Sequence, residues 1–128
     1  MDDYLLDTCA LIWLGMGGGG LSEDAKRRIS LAARLQYSSI SAWELSRLQK
    51  ENKIVLPCTP GEFLFDLSDA YGLSSISPDD AIMMRAAQLP DHHRDPADRI
   101  IIATALMRDL TVITGDEKFP QYNVRTIR

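Results

Sequence analysis

Cysteine is scarce in this chain: Cys9 and Cys58 are its two, and neither sits in a metal-type spacing. A thiolate metal centre is therefore excluded, and a disulfide would need the fold to bring the pair together. Both read as buried or indifferent thiols of a reducing cytoplasm. Long apolar runs are missing too, the longest being a few residues, so no membrane span fits. No basic region precedes the first apolar stretch behind Met1-Asp2-Asp3, which speaks against a secretory signal. Positive charge is not in excess either. The formal net charge of −4 argues at first against a nucleic-acid partner, unless several of the acids share a cation. Glycine gathers in one tract, Gly15 to Gly20 around Met16. That tract lacks the GxxxxGK[ST] pattern and follows a helix instead of a strand, so it is no phosphate-cradling loop. Repeats, low-complexity tails and an interdomain linker are all lacking, and residues 1–128 are expected to form one domain of ordinary size.

What is present is a regular alternation. Hydrophobic residues make up 45%, enough for a sizeable core and too many for disorder. Tyr4-Leu5-Leu6 reads as a buried central strand. Thr8 can cap a helix through Ala10–Leu14, and Ser22-Glu23-Asp24-Ala25 opens a second helix with acids in its first turn and Lys26-Arg27-Arg28 after them. A strand is expected at Gln36 to Ile40. Ser41 then serves as N-cap of a helix to about Asn52, with Glu44 completing a Ser-x-x-Glu capping box. Ile54–Pro57 is an extended connector. A helix at Gly61 to Tyr71 places Phe63, Leu64, Leu67 and Ala70 on one face. Leu73 to Ile76 is extended, and Ser77-Pro78-Asp79-Asp80 supplies a cap, a first-turn proline and capping charges. A long helix follows Asp95-Pro96 and runs to Asp109, then strands at Thr111–Thr114 and Val124–Ile127. Strands alternating with helices predict an α/β fold, a parallel sheet with helices on both faces.

Five carboxylates stand where a predicted strand hands over to a helix or loop: Asp7, Glu44, Asp95, Asp98 and Asp116. The carboxyl ends of the strands of such a sheet line one crevice, where ligands bind. Carboxylates gathered there repel each other unless a cation neutralises them, and oxygen-only ligands suit Mg2+ or Mn2+. The chemistry this predicts is metal-assisted phosphodiester hydrolysis. Each acid also has a purely local reading. Asp7 could cap the helix behind it, Glu44 could complete the capping box, and Asp116 could be a turn aspartate. Asp95 and Asp98 could be the N-cap and third residue of the helix opened by Pro96. Local capping does not explain a second carboxylate set against an apolar helix, so Asp98 is read as a metal ligand and Asp95 as a ligand or its neighbour. Thr114 precedes Asp116 and could give its hydroxyl to the site.

Other residues carry less. His92 and His93 lack a zinc-type spacing and are expected to orient the loop or bond to a ligand from behind. Arg99 is expected to pair with Asp95 or Asp98 or to face a phosphate. Trp13 and Trp43 are expected in the core. Lys26, Arg27, Arg28, Arg34, Arg47, Lys50 and Lys53 could form a basic rim or simply face water. Apolar positions at Leu21, Ala25, Ile29 and Ala32, and at Leu45 and Leu48, predict an interaction surface on the two helices that carry them.

Taken in order, Leu5-Leu6-Asp7-Thr8, Ser41-Ala42-Trp43-Glu44-Leu45, Asp95-Pro96-Ala97-Asp98-Arg99 and Val112-Ile113-Thr114-Gly115-Asp116 resemble the PIN-domain ribonucleases. The resemblance is greatest to the VapC-like toxins of toxin–antitoxin operons, and it covers essentially the whole chain. It implies a three-layer α/β/α fold around a parallel five-stranded sheet, and one or two Mg2+ or Mn2+ ions. Metal and catalytic roles carry over to Asp7, Glu44, Asp98 and Asp116. Asp95 matches the first aspartate of a DPFDR-like motif in which Ala97 replaces the usual Phe, a loss of an aromatic contact but of no ligand. An RNA substrate, an antitoxin protein partner and a homodimer are implied as well.

Two other folds begin similarly and fail. A haloacid-dehalogenase-like phosphatase would need an acid two residues after Asp7, where Cys9 stands, and another four beyond Asp116, where Pro120 stands. A phospho-receiver module would need an acidic pair at the end of the first strand, whereas Asp2-Asp3 come before it, and a lysine directly after the last central strand, where Thr114-Gly115-Asp116 offers none. A PIN-like module that only binds protein would not need to keep all the acids.

Overall fold

The structure, a computed structural model, describes residues 3–128; Met1 and Asp2, at the chain start used to argue against a secretory signal, lie outside them. The chain runs β1 (Asp3–Leu6), α1 (Thr8–Gly15), α2 (Glu23–Leu31), β2 (Arg34–Ser38), α3 (Ile40–Lys50), α4 (Pro60–Tyr71) and β3 (Leu73–Ile76). It continues through α5 (Asp80–Gln88), α6 (Pro96–Arg108), β4 (Thr111–Ile113), a one-turn 3-10 helix (Phe119–Tyr122) and β5 (Thr126–Ile127). The five strands form one sheet in the order β3-β2-β1-β4-β5, and every pairing is parallel.

Side-chain alternation along the strands builds two cores. Tyr4, Leu6 and Ile113 point into one, with Leu11, Leu45, Phe63 and Leu67 from α1, α3 and α4. Leu5 and Val112 point into the other, with Ile82 from α5, Ile101 and Ile102 from α6, and Phe119. A strand so placed must be apolar on both faces, which is why β1 reads as an unbroken hydrophobic run. The result is the expected three-layer α/β/α arrangement. No described helix is long and apolar enough to cross a membrane.

Several local expectations are corrected. Asp7, not Thr8, caps α1, its Oδ1 accepting the Ala10 N–H at 2.8 Å. Helix α3 starts at Ile40 because Ser39 is already helical, so Ser41 is no N-cap and no capping box engages Glu44. The Ser41 hydroxyl instead bonds that of Thr8 at 2.9 Å. Helix α5 is capped by Asp79 and not by Ser77, with Ile82 N–H donating to Asp79 at 2.9 Å. The capping box that does form is Thr59 with Glu62, at the head of α4. Trp43 is 55% exposed and lies under the Arg47 guanidinium, 5.3 Å from its ring centre, so it is not a core residue.

The order of the strands sets up the site. From β1 the chain winds outward through β2 to β3, then crosses back to lay β4 on the other side of β1. Between β1 and β4 the winding reverses, and the crevice beyond their carboxyl ends is where such sheets bind ligands. The Asp7 N–H donates to Ile113 O at 3.2 Å across that junction.

Candidate metal centre

Asp7 leaves the end of β1 directly into the crevice and is 4% exposed. One of its oxygens caps α1, and the other accepts the hydroxyl proton of Thr114, the residue that follows β4. Thr114 Oγ1 accepts in turn from the Asp116 N–H at 3.0 Å, which tethers the next acid to the same corner. Glu44 projects from the first turns of α3. Asp95 caps α6 by accepting the Asp98 N–H at 3.2 Å, and this puts Asp98 in the first turn, facing the same space. Asp7, Glu44, Asp95, Asp98 and Asp116 together line a crevice of about 380 Å3, with Thr8, Cys9, Trp13 and Arg128 on its walls. All five acids singled out in the sequence thus meet, with Thr114 bonded to the innermost one.

The cluster is electrostatically uncomfortable as it stands. Burial first, then the charges of Asp95, Glu44, Asp7 and Asp116, pushes the Asp98 carboxyl up to about 8. Burial lifts Asp7 to about 6 against the opposing hydrogen bonds of Thr114 and Ala10. Glu44 is raised too, chiefly by burial and by Asp95, while the Thr8 hydroxyl and Arg47 pull it back. Its Oε1 is buried without a hydrogen-bond partner among the described residues. Arg47 stands 3.9 Å from the other oxygen, Oε2, and is shared with Glu51. Buried polar atoms are normally satisfied, so an orphaned oxygen on a carboxylate that lines an acidic crevice fits a cation. Ligand atoms of Glu44, Asp95 and Asp98 lie within 4.8 Å of one another, as do those of His93, Asp98 and Asp116; Asp98 belongs to both groups.

The other residues singled out meet their expected roles unevenly. Arg99 faces neither the acids nor the crevice. Its guanidinium donates to the carbonyls of Ala86 at 2.9 Å, Leu89 at 2.7 Å, Pro90 at 3.0 Å and His93 at 3.0 Å. Its fork of N–H donors satisfies the orphan carbonyls at the end of α5 and braces the loop before α6. Lys26, Arg27 and Arg28 pair with Glu23 and Asp24 along α2, and Lys53 pairs with Glu51, which leaves little of the expected basic rim. Arg128, not foreseen, is the basic residue on the crevice wall. Trp13 is half-buried against the first core and forms another wall. Its ring fits because Gly20 and Gly115 carry no side chain: a Cβ would lie 2.2 Å from it at Gly20 and 2.5 Å at Gly115. Cys9 is exposed at the mouth and not buried. Partial desolvation and the field of Asp7, Asp98 and Glu44 push its thiol up to about 11, so it stays protonated. His92 packs edge-on to Tyr122, whereas His93 reaches the acids.

Comparison with known proteins fixes the family. A family model described as PIN domain matches residues 4–124. The chain belongs to the PIN-domain family. Ribonuclease VapC22 of Mycobacterium tuberculosis (strain ATCC 25618 / H37Rv) is 30% identical over 119 residues, covering 92% of this chain and 90% of that protein. Among solved structures, a DNA-bound VapBC from Salmonella typhimurium superposes with a TM-score of 0.70 at 22% identity, covering 98% of this chain and 97% of the other. VapBC2 from Rickettsia felis, bound to a promoter DNA fragment, gives 0.71 at 16% identity, covering 96% of each chain. VapBC-5 of Mycobacterium tuberculosis, a member of a toxin–antitoxin family, gives 0.64 at 22% identity over 100% and 99%. Within this PIN domain the acidic crevice is the candidate site.

Proposed function

We propose that this PIN-domain protein is a divalent-cation-dependent endoribonuclease, the toxin of a toxin–antitoxin pair acting in the cytoplasm. The observation that carries the reading is the convergence of Asp7, Glu44, Asp98 and Asp116 on one crevice, with a buried Glu44 oxygen left unpartnered. The likeness to Ribonuclease VapC22 supports RNA as the substrate.

In this reading Asp7, Glu44, Asp98 and Asp116 would hold Mg2+ or Mn2+ through oxygen donors of the kind these ions prefer. When bound, the cation supplies charge neutralisation at the scissile phosphate and Lewis acidity toward water. Thr114 fixes the Asp7 carboxylate by donating to Oδ2, and Asp95 places Asp98 by capping its helix. No side-chain nucleophile is needed: a water held in the crevice would attack phosphorus in line with the sugar oxygen that departs, the P–O bond to that oxygen breaking as the new one forms and the water's proton ending on the departing oxygen. Arg128 on the crevice wall would meet an RNA phosphate, and sequence-specific recognition of RNA works best on single-stranded or looped segments.

The neighbouring VapBC structures support an antitoxin partner. Most of the apolar positions expected to face a partner are core here, Leu21, Ala25, Ile29 and Leu45 among them. A groove of about 610 Å3 remains between the glycine tract, α2 and the end of α4, lined by Leu14, Leu21, Ile29 and Tyr71, and it would accept an amphipathic helix. A partner footprint confined to α5 and α6 in hydrogen exchange would overturn that placement. Met83 and Met84, exposed on α5, motivate a homodimer, and a sedimenting monomer at micromolar concentration would count against it. The function itself is tested by cleavage of RNA by the partner-free protein. Chelator is expected to abolish it and Mg2+ or Mn2+ to restore it, and cleavage that survives chelator would refute the cation's role.

A further inference from the structure

His93 is 8% exposed, and both of its ring nitrogens are engaged. On one side the Asp95 backbone N–H donates to Nδ1 at 3.2 Å. An Nδ1 that accepts carries no proton, so in the neutral ring the proton is on Nε2. On the other side Nε2 lies 2.8 Å from Asp116 Oδ2 in hydrogen-bonding geometry and 2.9 Å from Asp98 Oδ2. One N–H dipole is thus wedged between two carboxylates that come from different elements, the head of α6 and the turn after β4. The ring itself is held from behind. Its own backbone N–H donates to Tyr122 Oη at 2.7 Å, its carbonyl accepts from Arg99, and Phe119 packs edge-on at 6.1 Å.

We infer that His93 is a positioning residue of this centre: its Nε2–H, fixed by the Asp95 backbone N–H, holds Asp98 and Asp116 side by side for a divalent cation without itself becoming a ligand. Ligation through Nε2 would move the ring proton to Nδ1 and set it against the Asp95 N–H, donor against donor. The two acids keep their capacity for a cation, because a carboxylate oxygen that accepts one hydrogen bond retains a second lone pair. The consequence is an all-oxygen centre in a site where distance alone would admit a nitrogen ligand. Such a centre favours Mg2+ or Mn2+ over ions that prefer imidazole. The inference rests on the cation-dependent reading above.

The test uses the whole chain and Mn2+ or Mg2+ alone. Nitrogen-15 NMR of the histidine rings in chelator, then with saturating Mg2+, is expected to show His93 with a protonated Nε2 and an unprotonated Nδ1 in both states. Calorimetric Mn2+ affinity is expected to fall about 10- to 100-fold in His93→Phe. His93→Gln, which can place an N–H near the same acids, is expected to retain most of it. A ring found protonated at Nδ1, with Nε2 bare and shifted by Mg2+, would make His93 a ligand and overturn the proposal. Equal loss of Mn2+ affinity in both variants would do the same. So would a His93→Phe protein of lower melting temperature and unchanged Mn2+ affinity, because the role would then be structural only. Failure of the wild-type protein to bind either ion would sink the cation-dependent reading itself, and the ring state in chelator would still report the clamp on its own.

Discussion

Replacing Asp7 by Asn separates chemistry from folding at one residue. Asp7 is an N-cap, a hydrogen-bond acceptor for Thr114 and a buried negative charge, and the three roles respond differently. Asn caps a helix about as well as Asp, so the bond to Ala10 survives. The amide turns an N–H toward Thr114, whose hydroxyl must then rotate and lose its acceptor, at a cost of about 1 kcal/mol. Against this stands the charge. Carrying the carboxyl from its ordinary 3.8 to about 6 disfavours the ionised form by roughly 3 kcal/mol, at about 1.4 kcal/mol per pH unit. At about pH 8 in chelator, the variant is therefore expected to be more stable than the parent by roughly 1–2 kcal/mol, or several degrees in Tm. It is also expected to lose Mn2+ affinity and RNA cleavage. Asp7→Ala is the control: it relieves the same charge but gives up the cap, worth about 0.5–2 kcal/mol, and leaves Thr114 without its acceptor. Thermal melts beside calorimetry and a cleavage assay read all three quantities. A destabilised Asp7→Asn protein that binds Mn2+ and cleaves RNA like the parent would refute the reasoning, because Asp7 would then be a cap and nothing more.

The raised carboxyls set a pH dependence whose sign is fixed. Asp98 at about 8 and Asp7 at about 6 bind more protons folded than unfolded, so their contribution is fully present below about pH 4 and is lost as pH rises toward 8. Melts in chelator are therefore expected to show Tm falling over that window from these groups and the slope to vanish or invert with Mn2+; equal slopes with and without Mn2+ would contradict this. Thr114→Val removes the hydroxyl that lowers Asp7 and is expected to cost about 1 kcal/mol and to weaken Mn2+ binding; unchanged affinity by calorimetry would leave Thr114 outside the site. Arg128→Gln, in the Asp7→Asn background to prevent cleavage, is expected to weaken RNA binding and to lower the salt slope by about one. A slope unmoved by the change would remove Arg128 from the RNA path.

Much of this architecture was readable because one-dimensional patterns map directly onto it. Strands buried on both faces appear as unbroken apolar runs, as at Tyr4-Leu5-Leu6, and the helices between them announce themselves by caps and periodicity. Boundaries were less legible where several residues can do the same local job. In Ser38-Ser39-Ile40-Ser41 any serine could begin the helix, and the choice fell to Ser39 because the backbone is helical there while Ser41 bonds Thr8 across the core. At Ser77-Pro78-Asp79 the better-placed acceptor, Asp79, took the cap. The acids were legible for a different reason: local capping accounts for each one singly but not for so many carboxylates gathered at one edge of the sheet.

What the pattern could not show is which residues support the acids, because support is a tertiary matter. Arg99 sits beside Asp98 in sequence, yet helical geometry turns it the other way, and the unsatisfied carbonyls at the end of α5 capture it. From the sequence, His92 and His93 are both expected to orient the loop or bond to a ligand from behind, and nothing in it says which reaches the acids. They differ only because Arg99 and Tyr122 hold the loop so that His93 turns inward and His92 turns out against Tyr122. The same logic hides Arg128, which reaches the crevice through the parallel pairing of β5 with β4, at the far end of the chain from Asp7. Asp7 and Asp116 can be recognised from the strand ends they follow, whereas Glu44 sits within α3 and Asp95 and Asp98 stand at the head of α6; the donors that orient them are chosen by whichever backbone the fold brings within reach. On the role inferred for His93, the spacing of Asp98 and Asp116 is set by such a donor, its Nε2–H, and not by the carboxylates alone.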